Sequence, residues 1–158
     1  MGAERIGACE IQDTGQPFYG VYYGQAALPH APERLFYLDN AVIRGLRVYN
    51  VETSSDIPVY DLGAAAGRDP YEMFLGGARS IIKITNPNAA QERRLIVFRD
   101  SFGSSIAPLL AAGYSEITLV DIRYISPLSL GKLIDFAKAD DALFLYSASV
   151  INNSETIK

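Results

Sequence analysis

One cysteine, one histidine and no excess of basic residues in 158 positions each remove a class of function. A lone Cys9 excludes an internal disulfide and any cysteine-cluster metal site, so it leaves the redox compartment undefined. With His30 as the only imidazole, the ligands for zinc are missing, and no metal or cofactor is expected. A formal charge of −4 argues against nucleic acid as a partner, because a phosphate-backbone binder needs a basic face to displace counterions. No run approaches the roughly 18 apolar residues of a membrane span, and MGAERIGACEIQD lacks the basic-then-apolar pattern of a signal peptide. The chain therefore reads as soluble, with nothing in it that directs export. Its initial Met1-Gly2 fits either a native start or a start codon placed on an excised domain.

What is present is an ordinary globular composition, 49% apolar and 20% charged, which suits one domain over residues 1–158. Residues 1–78 are rich in strand and loop signals. PFYGVYYGQAALPHAPERLFYL carries tyrosines among breakers, and AVIRGLRVYNVE and DIPVYDL alternate like strands joined by the turn TSSD. In DPYEMFLGG, Asp69 is placed to N-cap a short helix that stops at Gly76-Gly77. The texture changes over 79–151. ARSIIKITN, RRLIVFR, EITLVDIRYI and DALFLYSASVI read as strands, and SSIAPLLAAG and SLGKLIDFAKAD as helices between the last three. That alternation predicts a βαβαβ portion, an α/β fold and a mainly parallel sheet whose apolar strands are covered on both faces.

Parallel sheets bind ligands beyond the carboxyl ends of their strands, which selects Asp100-Ser101, Asp121 to Tyr124, and Ser147 to Asn153. Ser101 is the sharpest candidate. It stands between an apolar strand and a helix start whose N–H groups and dipole suit an oxyanion, the arrangement of an acyl-transfer nucleophile. A serine or aspartate that merely caps the helix explains the same residues. GxSxG is not met, because Arg99 stands where its first glycine belongs. Asp121 and Arg123 either pair with each other or line the cleft, Gly76 and Gly77 either offer N–H groups to an oxyanion or stop a helix, and Asp100 either orients a base or caps. His30 is the one imidazole available as a base, in a Pro-flanked loop where an exposed role is the simpler one. The tyrosines at 18–23 suit half-buried packing better than a sugar platform.

Four segments, FYGVYYG at 18–24, VYDLGAAAGRDPYEMFLGG at 59–77, RRLIVFRDSFGSSIAPLLAAGYSEITLVDIRYI at 93–125 and DDALFLYSASVI at 140–151, resemble the DHHW-motif proteins. These are bacterial envelope proteins related to SGNH hydrolases and to alginate O-acetylation proteins, and RDSFG and DIRY are the most specific matches. The resemblance implies an SGNH-like three-layer α/β/α domain with Ser101 as nucleophile. With Ser101, Asp100 and His30 are the candidate catalytic residues, and Phe102, Gly103, Asp121, Arg123, Tyr124, Gly76 and Gly77 the candidate substrate-binding ones. It also implies O-acetyl ester hydrolysis or transfer on an envelope polysaccharide or other acyl-carbohydrate, in an extracytoplasmic setting.

One departure decides the mechanism. The Asp-His-His-Trp segment that names the family and supplies its base is absent: the sequence has no tryptophan and no Asp-His pair. The expectation is that these residues are the carboxyl-terminal part of a longer protein, or a degenerate member of the family. Ser101 alone is then nearly inert, since an unassisted hydroxyl is barely ionised near neutral pH. The alternative is a non-catalytic carbohydrate-binding or scaffolding domain. If the amino-terminal region once covered a face of the sheet, that face is left apolar, and a homodimer is expected to bury it.

Overall fold

Alternating segments in the first half and continuous apolar runs in the second build two different sheets. The computed structural model describes residues 6–20, 29–153 and 155. In it, β1 (Glu10–Phe18) and β2 (Glu33–Asp39) form an antiparallel ribbon, with a register shift between Asp13 and Pro17 where Gly15 takes a φ of 70°. A short helix, α1 (Ala41–Gly45), leads into the hairpin β3 (Arg47–Asn50) and β4 (Ser55–Ile57). Single 3₁₀ turns follow at Ala64–Ala66 and Pro70–Met73. The rest is β5 (Ile81–Thr85), β6 (Arg94–Arg99), α2 (Gly103–Leu110), β7 (Glu116–Val120), α3 (Pro127–Leu133), β8 (Asp141–Leu145) and α4 (Ala148–Asn152). Of the tyrosines at 18–23, Tyr22 and Tyr23 lie outside the described residues.

The fold is α/β, with one six-stranded sheet in the order β4-β3-β5-β7-β6-β8. The expectation of a mainly parallel sheet is corrected: only β6–β7 and β6–β8 are parallel, while β3–β4, β3–β5 and β5–β7 are antiparallel. The reason is connection length. Parallel neighbours need a crossover of about a dozen residues or more, and only β6, β7 and β8 have helices between them. β5 reaches β6 through residues 86–93, too short for a crossover, so it runs the other way and pairs with β7 instead.

Both faces of the parallel part are covered near their centre. Ile82, Ile84, Leu95, Val97, Ile117 and Leu119 pack with Ala107 and Ala111 from α2 and its continuation, and Ile81, Ile96 and Val120 pack with Leu130 and Ile134 from α3 and its end. Each such large aliphatic side chain contributes roughly 1.5–3 kcal/mol. Three local readings also change. AVIRG is helical because Asn40 Oδ1 accepts from Ile43 N at 2.9 Å. SLGKLIDFAKAD splits at extended Ile134, after which Asp135 caps a 3₁₀ turn. The last strand ends at Leu145, and residues 148–152 coil into α4.

The ribbon is fastened by aromatics: Tyr60 packs on Tyr37 and Phe74, Tyr71 on Phe18 and Phe74, and Tyr60 Oη donates to Leu38 O at 2.8 Å. Burial first, then the Asp39 charge, pushes the Tyr60 hydroxyl up to about 12. An unfolded tyrosine ionises near 10, so this contribution is whole below about pH 10 and is lost as pH rises to about 12. Tyr60→Phe is expected to cost about 1 kcal/mol at pH 7 through the lost hydrogen bond, and to flatten the fall of stability between pH 10 and 12. Urea unfolding of both proteins across that range checks this; identical slopes would contradict it.

Candidate active site

Of the sequence-selected residues, Asp100 to Gly103 follow β6, Asp121 to Tyr124 follow β7 and Ser147 follows β8, and the Asp100–Ser147 hydrogen bond and the Arg99–Asp121 ion pair join these three strand ends. At the end of β6 the chain turns sharply: Gly103 N donates to Asp100 O at 3.1 Å and Ser104 N to Ser101 O at 3.0 Å, which starts α2. Ser101 sits half-buried on this turn. Among the described residues neither its hydroxyl nor its backbone N–H has a hydrogen-bond partner.

Asp100 is almost wholly buried, and its carboxylate is engaged by backbone. Oδ1 accepts from Phe102 N at 3.0 Å, and Oδ2 accepts from Ser147 N at 2.7 Å. Asp100 thus ties the serine turn to the end of β8. The Phe102 N–H, from the residue after Ser101, is held by that carboxylate. The helix start itself has no side-chain cap.

Gly103 explains how the turn packs. A Cβ at this position would lie 2.6 Å from Arg99 Cβ and 3.0 Å from Arg99 Cγ, so α2 rests directly on the arginine side chain. Arg99 is completely buried at the end of an apolar strand. Its guanidinium donates to Asp100 O and Arg79 O and lies 3.7 Å from Asp121 Oδ2. Burial lowers its pKa, and the Asp121 charge opposes that shift.

Asp121, also fully buried, joins two arginines. Arg123 donates through Nε to Oδ1 at 2.9 Å and through Nη2 to Oδ2 at 2.7 Å, and these bonds raise the Arg123 pKa. Asp121 and Arg123 therefore pair with each other, and Arg123 also lies over the Tyr124 ring at 5.4 Å. Tyr124 and Phe102 are 55% and 48% exposed, and Phe102 belongs to the serine turn itself. Gly76 and Gly77 take φ of 70° and 79°, and Gly77 N donates to Phe74 O. A Cβ on Gly77 would meet Glu72 Cγ at 3.0 Å, while the 3₁₀ segment itself already ends at Met73, capped by Phe74.

His30 is exposed, and its Nδ1 lies 2.5 Å from Ala31 O; no hydrogen bond joins it to Ser101. Among the described residues no group of three or more His, Cys, Asp or Glu side chains is placed to hold a metal, and no helix is long and apolar enough to cross a membrane.

Sequence reasoning missed three contributors. Arg99 figured only as a broken glycine motif, although an arginine ending LIVF signals a buried counter-charge. Tyr146 follows β8 and has a buried hydroxyl with no partner among the described residues. Burial, then the Asp121 and Asp100 charges, raises its pKa. Tyr71 Oη lies 2.8 Å from Ser105 Oγ, and its ring meets Phe102 edge-on, which braces the serine turn from the 3₁₀ segment. No local pattern marked it.

No protein-family model matches the sequence, and no curated protein matches it. Solved structures do share the fold. Bacillus cereus PatB1 with a sulfonyl adduct superposes with a TM-score of 0.67 at 23% identity, over 90% of this chain and 48% of that one. A second PatB1 structure gives 0.65 at 21%, over 91% and 50%. A DHHW family protein from Eubacterium siraeum DSM 15702 gives 0.68 at 20%, over 98% and 54%. The chain spans about half the length of the structures it matches, and at these identities the likeness is one of fold.

Proposed function

We propose that these residues are the nucleophile-bearing portion of an SGNH-like three-layer α/β/α domain that hydrolyses or transfers O-acetyl esters on a cell-envelope carbohydrate. The observation that carries the proposal is Ser101 itself. It ends a parallel strand, begins a helix, and keeps both its hydroxyl and its N–H unengaged. In the first step Ser101 Oγ attacks the ester carbonyl carbon, its proton passes to a base, and the carbonyl oxygen takes the negative charge, facing the Ser101 N–H and the amino end of α2. Collapse expels the carbohydrate hydroxyl, and water or a second hydroxyl then takes the acetyl group.

On this reading Ser101 needs a base other than His30, because His30 makes no hydrogen bond to Ser101 and no Asp-His pair is present in these residues. A positioned base contributes about 10²–10⁴-fold. The 158-residue chain is therefore expected to cleave an aryl acetate no faster than its Ser101→Ala variant. Expressed with the residues that precede it in its reading frame, it is expected to gain a rate of that order that Ser101→Ala removes. A gain that survives Ser101→Ala would refute the proposal.

A non-catalytic carbohydrate-binding reading draws on one observation: the Asp100 and Asp121 carboxylates are both engaged structurally, while Phe102 and Tyr124 stay exposed. Binding of an acetylated oligosaccharide that Ser101→Ala leaves unchanged, with no turnover in the extended protein, would favour it.

A further inference from the structure

The two faces of the six-stranded sheet differ. Under α2 the central strands carry an unbroken apolar surface, with Ile82, Ile84, Leu95, Val97, Ile117 and Leu119 in one cluster. Under α3 that surface stops halfway. Ile81, Val120 and Ile96 pack against Leu130 and Ile134, but two residues further along each strand the same face carries Lys83, Thr118 and Arg94. Lys83 and Thr118 are register partners, and Arg94 and Glu116 are partners in the next row. Charged residues at inward positions of otherwise apolar strands are not what a core asks for.

α3 does not reach them. The helix ends at Leu133, the chain is extended at Ile134, and a 3₁₀ turn follows at Phe136–Lys138. A cavity of about 290 Å³ remains between this segment and the sheet, lined by Lys83, Arg94, Glu116 and Thr118 from the strands and by Asp135 and Lys138 from the segment. Asp135 and Lys138 pair with each other, and Asp140 is engaged by the Arg94 backbone N–H at 2.7 Å. Among the described residues the side chains of Lys83, Arg94 and Glu116 make no hydrogen bond or ion pair, although Arg94 and Glu116 lie side by side in register. Thr118 is only 5% exposed, and its hydroxyl also has no partner among the described residues. A hydroxyl withdrawn from water without a partner is costly, and a bound molecule would relieve that cost.

We propose that this cavity binds a small hydroxylated anion, its carboxylate or phosphate held between Lys83 and Arg94 and its hydroxyl groups bonded to Thr118 and Glu116. The guanidinium fork and the ammonium both suit such an anionic group, and the Glu116 carboxylate accepts from a hydroxyl. The volume lies at the small end of ligand pockets, roughly 300–1,000 Å³, which favours a small molecule over a polymer. The site is separate from Ser101. Arg94 begins β6 and Ser101 follows its other end, roughly 20 Å away at the rise of a strand. The inference therefore stands or falls independently of the role proposed for Ser101.

The test is an amide-shift titration of the ¹⁵N-labelled 158-residue chain with glycerate, glycerol phosphate and glycerol, at an ionic strength fixed with sodium chloride. The amides of Lys83, Arg94, Glu116 and Thr118 are expected to shift saturably with at least one of the two anions and not with glycerol. Saturation by glycerate alone assigns a carboxylate ligand, and by glycerol phosphate alone a phosphate ligand. Lys83→Gln/Arg94→Gln is expected to weaken binding about tenfold or more, the rest of the spectrum reporting that it folds. Thr118→Val, close in shape and free of the unpartnered hydroxyl, is expected to unfold no more easily than the parent and to bind several-fold more weakly. Three results would each overturn the proposal: neither anion saturating at tens of millimolar, the double variant binding like the parent, or glycerol shifting the same amides equally.

Discussion

Asp121→Ala is expected to lower the melting temperature by about 6–20 °C, the largest single effect in the molecule. The substitution leaves Arg99 fully buried and Arg123 half-buried without their shared counter-charge, and removing one partner of a buried pair costs about 3–5 kcal/mol. For a domain of this size each kcal/mol shifts the midpoint by about 2–4 °C. Part of the penalty arises because burial already disfavours the Arg99 charge. The double replacement Arg99→Met/Asp121→Leu removes both charges and is expected to recover most of the loss. Thermal unfolding followed by circular dichroism decides it: a drop of under about 1 kcal/mol in Asp121→Ala would mean that the Arg79 and Asp100 carbonyls alone hold Arg99.

The same substitution is expected to have opposite signs at two glycines. Gly103→Ala puts a methyl group 2.6 Å from Arg99 Cβ, an atom fixed to the backbone of β6, so α2 has to lift away from the sheet. Overpacking of this kind costs about 1–3 kcal/mol, and the lift moves the Ser101 turn with it. Gly131→Ala, inside α3 with nothing within 4 Å of the new methyl, is expected to stabilise by up to about 1 kcal/mol through helix propensity. Denaturant unfolding of both variants tests the pair. If Gly103→Ala is as stable as the parent, α2 does not rest on Arg99 as described.

The parts of this fold that were legible in the sequence are those where local chemistry and tertiary environment agree. LIVF before Asp100-Ser101 reads as a covered strand, and it is one, with the serine at the strand-to-helix turn. The Asp69-Pro70 start was equally local, since Asp69 accepts from Tyr71 N at 3.0 Å. What failed were the readings that depend on partners. AVIRG alternates like a strand, but Asn40 caps it into a helix. ARSIIKITN is as apolar as a parallel strand, and nothing in its own residues tells that it pairs antiparallel with β7. In the site, Asp121 and Arg123 could be selected by position but not divided between cleft and ion pair, because the deciding neighbour is Arg99 from another strand. Tyr71 comes 30 positions before Ser101 and reaches its turn only through tertiary packing.

The measurement that bears most directly on the proposed role of Ser101 is adduct mapping. The protein, with any residues that precede this chain in its reading frame, is treated with an arylsulfonyl fluoride and digested, and the modified residue is read by mass spectrometry. A sulfonyl group on Ser101, absent from Ser101→Ala and lost together with the esterase rate, is the predicted result. An adduct on any other residue with the rate abolished, or a full rate with Ser101 unmodified, would contradict the account.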